Sequence, residues 1–202
     1  MSGFAAFCRA TAVSRETGER LLAYEALLIK WQARINLIGP ATLPALWTRH
    51  MLDSTQLAAL RPPGPLLDMG SGAGFPGLVL AILGAEAAPC HLVEADARKC
   101  AFLQEVVRVT GANAVIHHTR MEKLAPFPVA TITARALAPL GKLLDLAEAF
   151  LTPGALCLFL KGRTADEELT QAGKTWTMTA ERIASLTDPA SVILSLKEVR
   201  RG

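Results

Sequence analysis

Leu66-Leu67-Asp68-Met69-Gly70-Ser71-Gly72-Ala73-Gly74-Phe75-Pro76-Gly77 reads as a β-strand that breaks into a glycine loop and then enters a helix. Glycine tolerates backbone conformations closed to other residues and lets a ligand approach bare main chain. The helix that follows offers N–H groups with no partner inside the helix. A loop of this kind, at the carboxyl end of a first strand, is where open α/β sheets bind cofactors. A glycine turn without a ligand is the plain alternative. Glu94, an acid at the end of the next aliphatic run, argues against it.

Outward from the loop the pattern alternates. Short aliphatic runs at 65–69, 90–94, 114–118, 129–134 and 155–161 read as strands, and about 75–84, 97–110 and 139–151 read as helices. Such alternation implies a parallel sheet covered on both faces. No long helix separates 175–183 from 191–197, so these two are expected to pair antiparallel. The expected fold is α/β: a mostly parallel, doubly wound, Rossmann-like sheet with a C-terminal antiparallel hairpin. Upstream, Leu21, Leu27, Leu28, Trp31 and Ile35 fall near helical spacing, which predicts a helix from Ser14 to Leu37, stopped by Gly39-Pro40. A second helix is predicted from about Leu43 to Leu60, capped by Thr42. Arg61-Pro62-Pro63-Gly64-Pro65 is a stiff break. It divides an N-terminal helical extension, 1–64, from a core domain, 65–202.

Composition sets the bounds. The chain has 202 residues, 51% apolar and 19% charged, which excludes wholesale disorder. The longest apolar run, Leu78 to Ala85, is far short of the roughly 20 residues that span a bilayer. No secretory leader is expected, because no basic residue precedes the apolar Gly3 to Phe7. Cys8, Cys90, Cys100 and Cys157 form no Cys-x-x-Cys pair, which points to a reducing, cytoplasmic setting. The net charge of +3 lies wholly in residues 1–65, with seven Lys/Arg against four Asp/Glu.

Two cofactors compete for the loop. Gly72 to Gly77 fits G-x-G-x-x-G, and Glu94 follows about 20 residues on, as in a dinucleotide fingerprint. That fingerprint, however, starts directly after its strand, whereas Asp68-Met69-Gly70-Ser71 intervenes here, and Pro76 restricts the approach to the third glycine. The whole string looks instead like D-x-G-x-G-x-G, the nucleoside loop of methyltransferases that use S-adenosylmethionine. On that reading Gly70 and Gly72 pass under the cofactor, and Glu94 accepts hydrogen bonds from both ribose hydroxyls.

With Phe75-Pro76-Gly77 at its end, the string resembles the signature of the RsmG/GidB family, bacterial class I methyltransferases that modify N7 of one guanine in 16S ribosomal RNA. Asn36-Leu37, Arg49-His50 with Asp53-Ser54, Arg98-Lys99 with Phe102-Leu103, Arg120-Met121-Glu122, Arg135-Ala136 and Lys161-Gly162 follow in the family's order, covering about residues 31–163. Ile38 and Ala134 stand where the family tends to carry a hydroxyl, and a serine near the ribose acid is replaced in Glu94-Ala95-Asp96. The resemblance implies S-adenosylmethionine as cofactor, with Gly70 and Phe75 lining its site, Met121 and Glu122 flanking the adenine, and Arg135 closing the far side. It also implies 16S ribosomal RNA, or the assembling small subunit, as partner. A cytoplasmic monomer without a membrane partner is expected.

The remaining residues narrow the chemistry. After the fourth strand stands Thr133-Ala134-Arg135-Ala136, not the Asp/Asn-Pro-Pro-aromatic motif of amine methylation. Cys157 sits mid-strand and reads as a structural thiol rather than a nucleophile. Guanine N7 already presents a lone pair, so direct displacement at the methyl needs no general base. Catalysis is then positioning and exclusion of water, with no acid, base or nucleophile assigned. Arg49, His50, Arg135, Lys161 and Arg163 are the candidates to hold RNA. His50 reads equally well as a core or capping histidine. His117-His118 point to opposite faces of a strand, so no metal is assigned. Alternatives are a methyltransferase for a small molecule or protein, a nicotinamide-dependent oxidoreductase, and a non-catalytic RNA-binding relative.

Overall fold

The computed structural model describes residues 3–84 and 88–202, so Ala85, the last residue of the apolar run, lies outside it. Seven strands form one sheet in the order β3-β2-β1-β4-β5-β7-β6. β1 (Leu66–Met69), β2 (Cys90–Glu94), β3 (Ala114–His118), β4 (Thr131–Arg135) and β5 (Leu156–Lys161) are parallel. β6 (Trp176–Ala184) and β7 (Val192–Arg201) form the antiparallel hairpin, with β7 also antiparallel to β5. β1 has β2 on one side and β4 on the other, so the glycine loop leaves the sheet at its switch point.

Side chains alternate between two cores, as a strand's period of two requires. Leu156, Leu158 and Leu160 of β5 face the core under the N-terminal segment, α4 (Gly77–Leu83) and α5 (Ala97–Thr110). Cys157 and Phe159 face the core under α6 (Leu140–Ala147) and α7 (Ala165–Ala172). α7 is a helix that the aliphatic pattern does not announce, because Ala165 and Ala172 are its buried residues.

The N-terminal third departs from its prediction. α1 (Gly3–Thr11) precedes α2 (Arg15–Gln32), whose start is capped by Ser14 Oγ accepting from Thr17 N–H at 3.1 Å. α2 then ends well before Gly39. Gln32 Oε1 accepts from the N–H groups of Leu37 and Ile38, each at 3.0 Å, and draws the chain back. The helix predicted over about 43–60 is a succession of short turns: 3-10 at Pro40–Ala45, a π-turn at Trp47–Leu52, α3 (Asp53–Thr55) and 3-10 at Gln56–Ala59. Pro40 and Pro44 bring no N–H, and the Ser54 and Thr55 hydroxyls bond the carbonyls of His50 and Met51. Thr42 is not a cap; its Oγ1 donates to Gly39 O at 2.7 Å. Phe7, Leu21, Tyr24, Leu28 and Met51 share one core with Leu66, Phe75 and Leu78, so residues on both sides of the Arg61–Pro65 break bury each other's apolar surface.

Gly77 shows how tightly the loop is seated. A Cβ there would stand 2.6 Å from Asp68 Cβ and 2.6 Å from Leu92 Cδ2. Gly77→Ala is therefore expected to destabilise the protein by about 1–3 kcal/mol. Urea denaturation reads this, and a wild-type midpoint would contradict it.

Candidate functional site

A cleft of about 1040 Å³ opens at the carboxyl ends of β1, β2 and β4. That is ample for a cofactor of drug-like size. Gly70, Gly72, Phe75, Glu94, Met121, Glu122, Arg135, Arg49, His50 and Lys161 all line it, as do Asp53, Lys99 and Arg120, which the sequence places in motifs without a role at the site. Arg163 is not among the lining residues and stands exposed.

The glycine loop is held from beneath and from the side. Asp68, wholly buried, accepts from Gly77 N–H at 3.2 Å and from Thr133 Oγ1 at 2.8 Å. Burial pushes its carboxyl up to about 6, against the pull of those bonds. From the side, the Tyr24 hydroxyl donates to Ala73 O, and its ring stacks 5.3 Å from Phe75. Gly70 and Gly72 take φ of +63° and +57°, left-handed conformations that glycine adopts without strain. Glu94 Oε2 accepts from Gly72 N–H at 2.9 Å, and Oε1 accepts from the N–H groups of Ala95 and Asp96, each at 2.8 Å. Of roughly four acceptor positions on a carboxylate, one remains, on Oε2. Glu94 thus has room for one ribose hydroxyl directly, where two were expected.

Arg135 ends β4 at the opposite wall. Its Nη1 donates to Arg49 O at 3.0 Å, and its Nη2 lies 2.7 Å from His50 Nδ1. Its Cζ lies 5.0 Å from the centre of the Phe75 ring, and Asp53 Oδ2 lies 4.0 Å from Nη1. Asp53 also accepts from Thr187 Oγ1 at 2.8 Å, which ties the N-terminal segment to the β6–β7 turn. His50 is buried. Burial first, then the charges of Arg135 and Arg49, lower its pKa to about 3. Of the two readings left open, the structure therefore favours a neutral, internal histidine over an RNA contact.

Beyond Arg135 the chain is strained. Ala136 has φ of +51°, a left-handed conformation that costs on the order of 1 kcal/mol for a residue with a Cβ. Lys161 steadies the turn that follows, its Nζ donating to Ala138 O and to Glu168 Oε2, both at 2.7 Å. The same Glu168 oxygen accepts from Leu140 N–H. With its side chain 8% exposed and its Nζ committed in this way, Lys161 acts as a strut for this turn. Arg49 stays 54% exposed, 3.7 Å from Asp188.

His117 Nε2 meets His91 Nδ1 at 2.9 Å, on the strand face away from His118. Among the described residues no cluster of His, Cys, Asp or Glu is arranged to hold a metal ion, and no helix is long and apolar enough to cross a membrane. All four cysteines are free, and burial pushes the Cys157 thiol up to about 12.

The raised Asp68 carboxyl has a consequence for stability. It keeps its proton to higher pH in the native state than in the unfolded one. Its contribution is therefore full below the unfolded value of 3.8 and is lost as pH rises through about 6. Between about pH 4 and about pH 7 the wild type should lose up to about 3 kcal/mol relative to Asp68→Asn, read by urea denaturation at each pH. A difference that does not vary with pH would contradict the assignment.

Known proteins share both the sequence and the fold. A family model described as rRNA small subunit methyltransferase G matches residues 17–192. The chain is 57% identical to the ribosomal RNA small subunit methyltransferase G of Paramagnetospirillum magneticum, over 95% of this chain and 94% of that protein. It is 56% identical to the protein of the same name from Rhodospirillum rubrum, over 98% of each. Among solved structures, M. jannaschii TYW2 in complex with AdoMet aligns with a TM-score of 0.61 at 13% identity, covering 84% of this chain and 80% of that one. A chain of a fibrillarin/Nop5p complex aligns at 0.57 with 16% identity, covering 74% of this chain and 81% of that one. These likenesses establish a methyltransferase-like fold. The match over 17–192 reaches from α2, which grips the loop through Tyr24, to the first residue of β7, and by that extent the chain belongs to the rRNA small subunit methyltransferase G family.

Proposed function

We propose that the protein transfers the methyl group of S-adenosylmethionine to N7 of a guanine in 16S ribosomal RNA. The observation that carries this reading is the cleft, with glycine backbone, Glu94, Met121 and Glu122 at one end and Arg135 beside exposed Arg49 at the other. The residues fit the cofactor. A Cβ at Gly72 would meet nothing nearer than Gly70 O at 3.8 Å, so the main chain is open at that residue, and Glu94 Oε2 keeps an acceptor position for a ribose hydroxyl. S-adenosylmethionine supplies an electrophilic methyl group on a sulfonium.

The chain's own residues position and desolvate. Both ring nitrogens of His50 are engaged, and Asp68 lies sealed under the loop, so neither is offered as a base. N7 needs none. Alignment of donor and acceptor in such a cleft is worth several kcal/mol, on the order of the effective concentrations of intramolecular reactions. The relatives' name and the positive excess in residues 1–65 favour RNA over a small molecule. Residues 1–64 serve as the RNA platform, with Arg49 and Arg163 meeting phosphates, and Arg135 facing both cofactor and base. The substrate is the RNA or the assembling subunit, met by a monomer in the cytoplasm, where free thiols persist.

Incubation with methyl-labelled S-adenosylmethionine and unmodified 16S RNA or small subunits should place label on guanine N7. Label on an adenine amine or a cytosine carbon would overturn the reading. Arg49→Ala should weaken RNA methylation while cofactor affinity, measured by calorimetry, stays at the wild-type value; undiminished transfer would remove Arg49 from the RNA surface.

A further inference from the structure

We propose that His50 is a positioning residue: as a neutral hydrogen-bond acceptor it sets the guanidinium of Arg135 in the cleft, and only the kinetic consequence rests on the methyl-transfer reading above. A guanidinium carries N–H donors and no acceptor. The 2.7 Å contact between Arg135 Nη2 and His50 Nδ1 therefore requires a bare lone pair on Nδ1. The other end of the ring gives the same answer independently. Thr42 Oγ1 spends its single hydrogen on Gly39 O at 2.7 Å, so at 2.8 Å from His50 Nε2 it can only accept. Nε2 must carry the proton. Three bonds then run in one direction, from Arg135 through His50 and Thr42 to the Gly39 carbonyl.

This relay reaches the cofactor loop. The His50 ring lies 5.0 Å from the Phe75 ring, and Arg135 Cζ lies 5.0 Å from the same ring, so the two side chains brace Phe75 together. The charged groups around the imidazole are Arg135, Arg49 and, through Arg135, Asp53 at 4.0 Å. A proton on Nδ1 would set two donors against each other at 2.7 Å. Without the acceptor, the guanidinium is released toward Asp53 and away from the Phe75 face. A misplacement of this kind lowers turnover by as much as about a hundredfold.

The test compares His50→Ala, His50→Gln and His50→Lys. Glutamine can accept from Arg135 and donate to Thr42; lysine introduces a cation and can accept nothing. Alanine and lysine should lower kcat for RNA methylation by about ten- to a hundredfold with little change in KM for RNA, and glutamine should recover most of it. Recovery by lysine, equal loss in all three, or loss in none overturns the proposal. Two-bond proton–nitrogen spectra of the wild type read the ring without any turnover and should show the neutral Nε2–H form at pH 7; an imidazolium or an Nδ1–H form overturns the proposal. If the His50 variants do not fold, Thr42→Val removes the far acceptor, and an unchanged kcat there is decisive against the relay. A wild type that methylates no RNA would defeat the proposed function, and the spectrum would still decide the role of His50.

Discussion

The Arg135 guanidinium is where three parts of the chain meet. It stands at the end of β4, lies over the Phe75 ring of the glycine loop, and donates to Arg49 O and His50 Nδ1 of the N-terminal segment. A cation whose side chain is only 19% exposed is costly unless its donors are satisfied. The carbonyl of Arg49, the lone pair of His50 and the nearby Asp53 carboxylate meet that requirement, and all three come from residues before the Arg61–Pro65 break. The N-terminal third is thus part of the wall of the cleft. Its apolar residues Tyr24, Leu28 and Met51 also share one core with Leu66, Phe75 and Leu78.

A second constraint acts from below. Asp68 bonds the first N–H of α4 and the Thr133 hydroxyl of β4, so one buried carboxyl fixes the loop against both its helix and its neighbouring strand. The approach is too close for any side chain at Gly77. With Tyr24 holding Ala73 and Glu94 holding Gly72, the loop is pinned at three residues, Gly72, Ala73 and Gly77. A preorganised site of this kind loses little conformational freedom on binding.

The sheet was legible in the sequence because aliphatic runs and breakers carry it. The runs at 90–94 and 114–118 and the helix over 97–110 coincide with β2, β3 and α5, and the closing hairpin follows from the missing crossover helix. The segment after Gln32 was not legible. Its path is set by side chain to backbone bonds from Gln32, Ser54 and Thr55 and by two prolines, none of which leaves a periodic trace. α7 was hidden for the opposite reason, since its buried face is two alanines. At the site, the lining residues that a motif names were found. The partners of His50 and Lys161 were not, because Thr42 and Glu168 approach them from other elements. Residue type alone put both among the candidates to hold RNA, with His50 reading equally well as an internal histidine; the contacts that bury His50 beside Arg135 and pair Lys161 with Glu168 come from other elements.

The central claim is that this cleft receives S-adenosylmethionine along the glycine loop with the Arg135 wall already in place. A crystal structure of the protein grown with that compound tests it most directly. The account predicts density along Gly70–Gly74, a ribose hydroxyl on Glu94 Oε2, and an Arg135 guanidinium still donating to His50. A cleft without ligand density at saturating concentration, or one in which Glu94 has turned away to other partners, would contradict it.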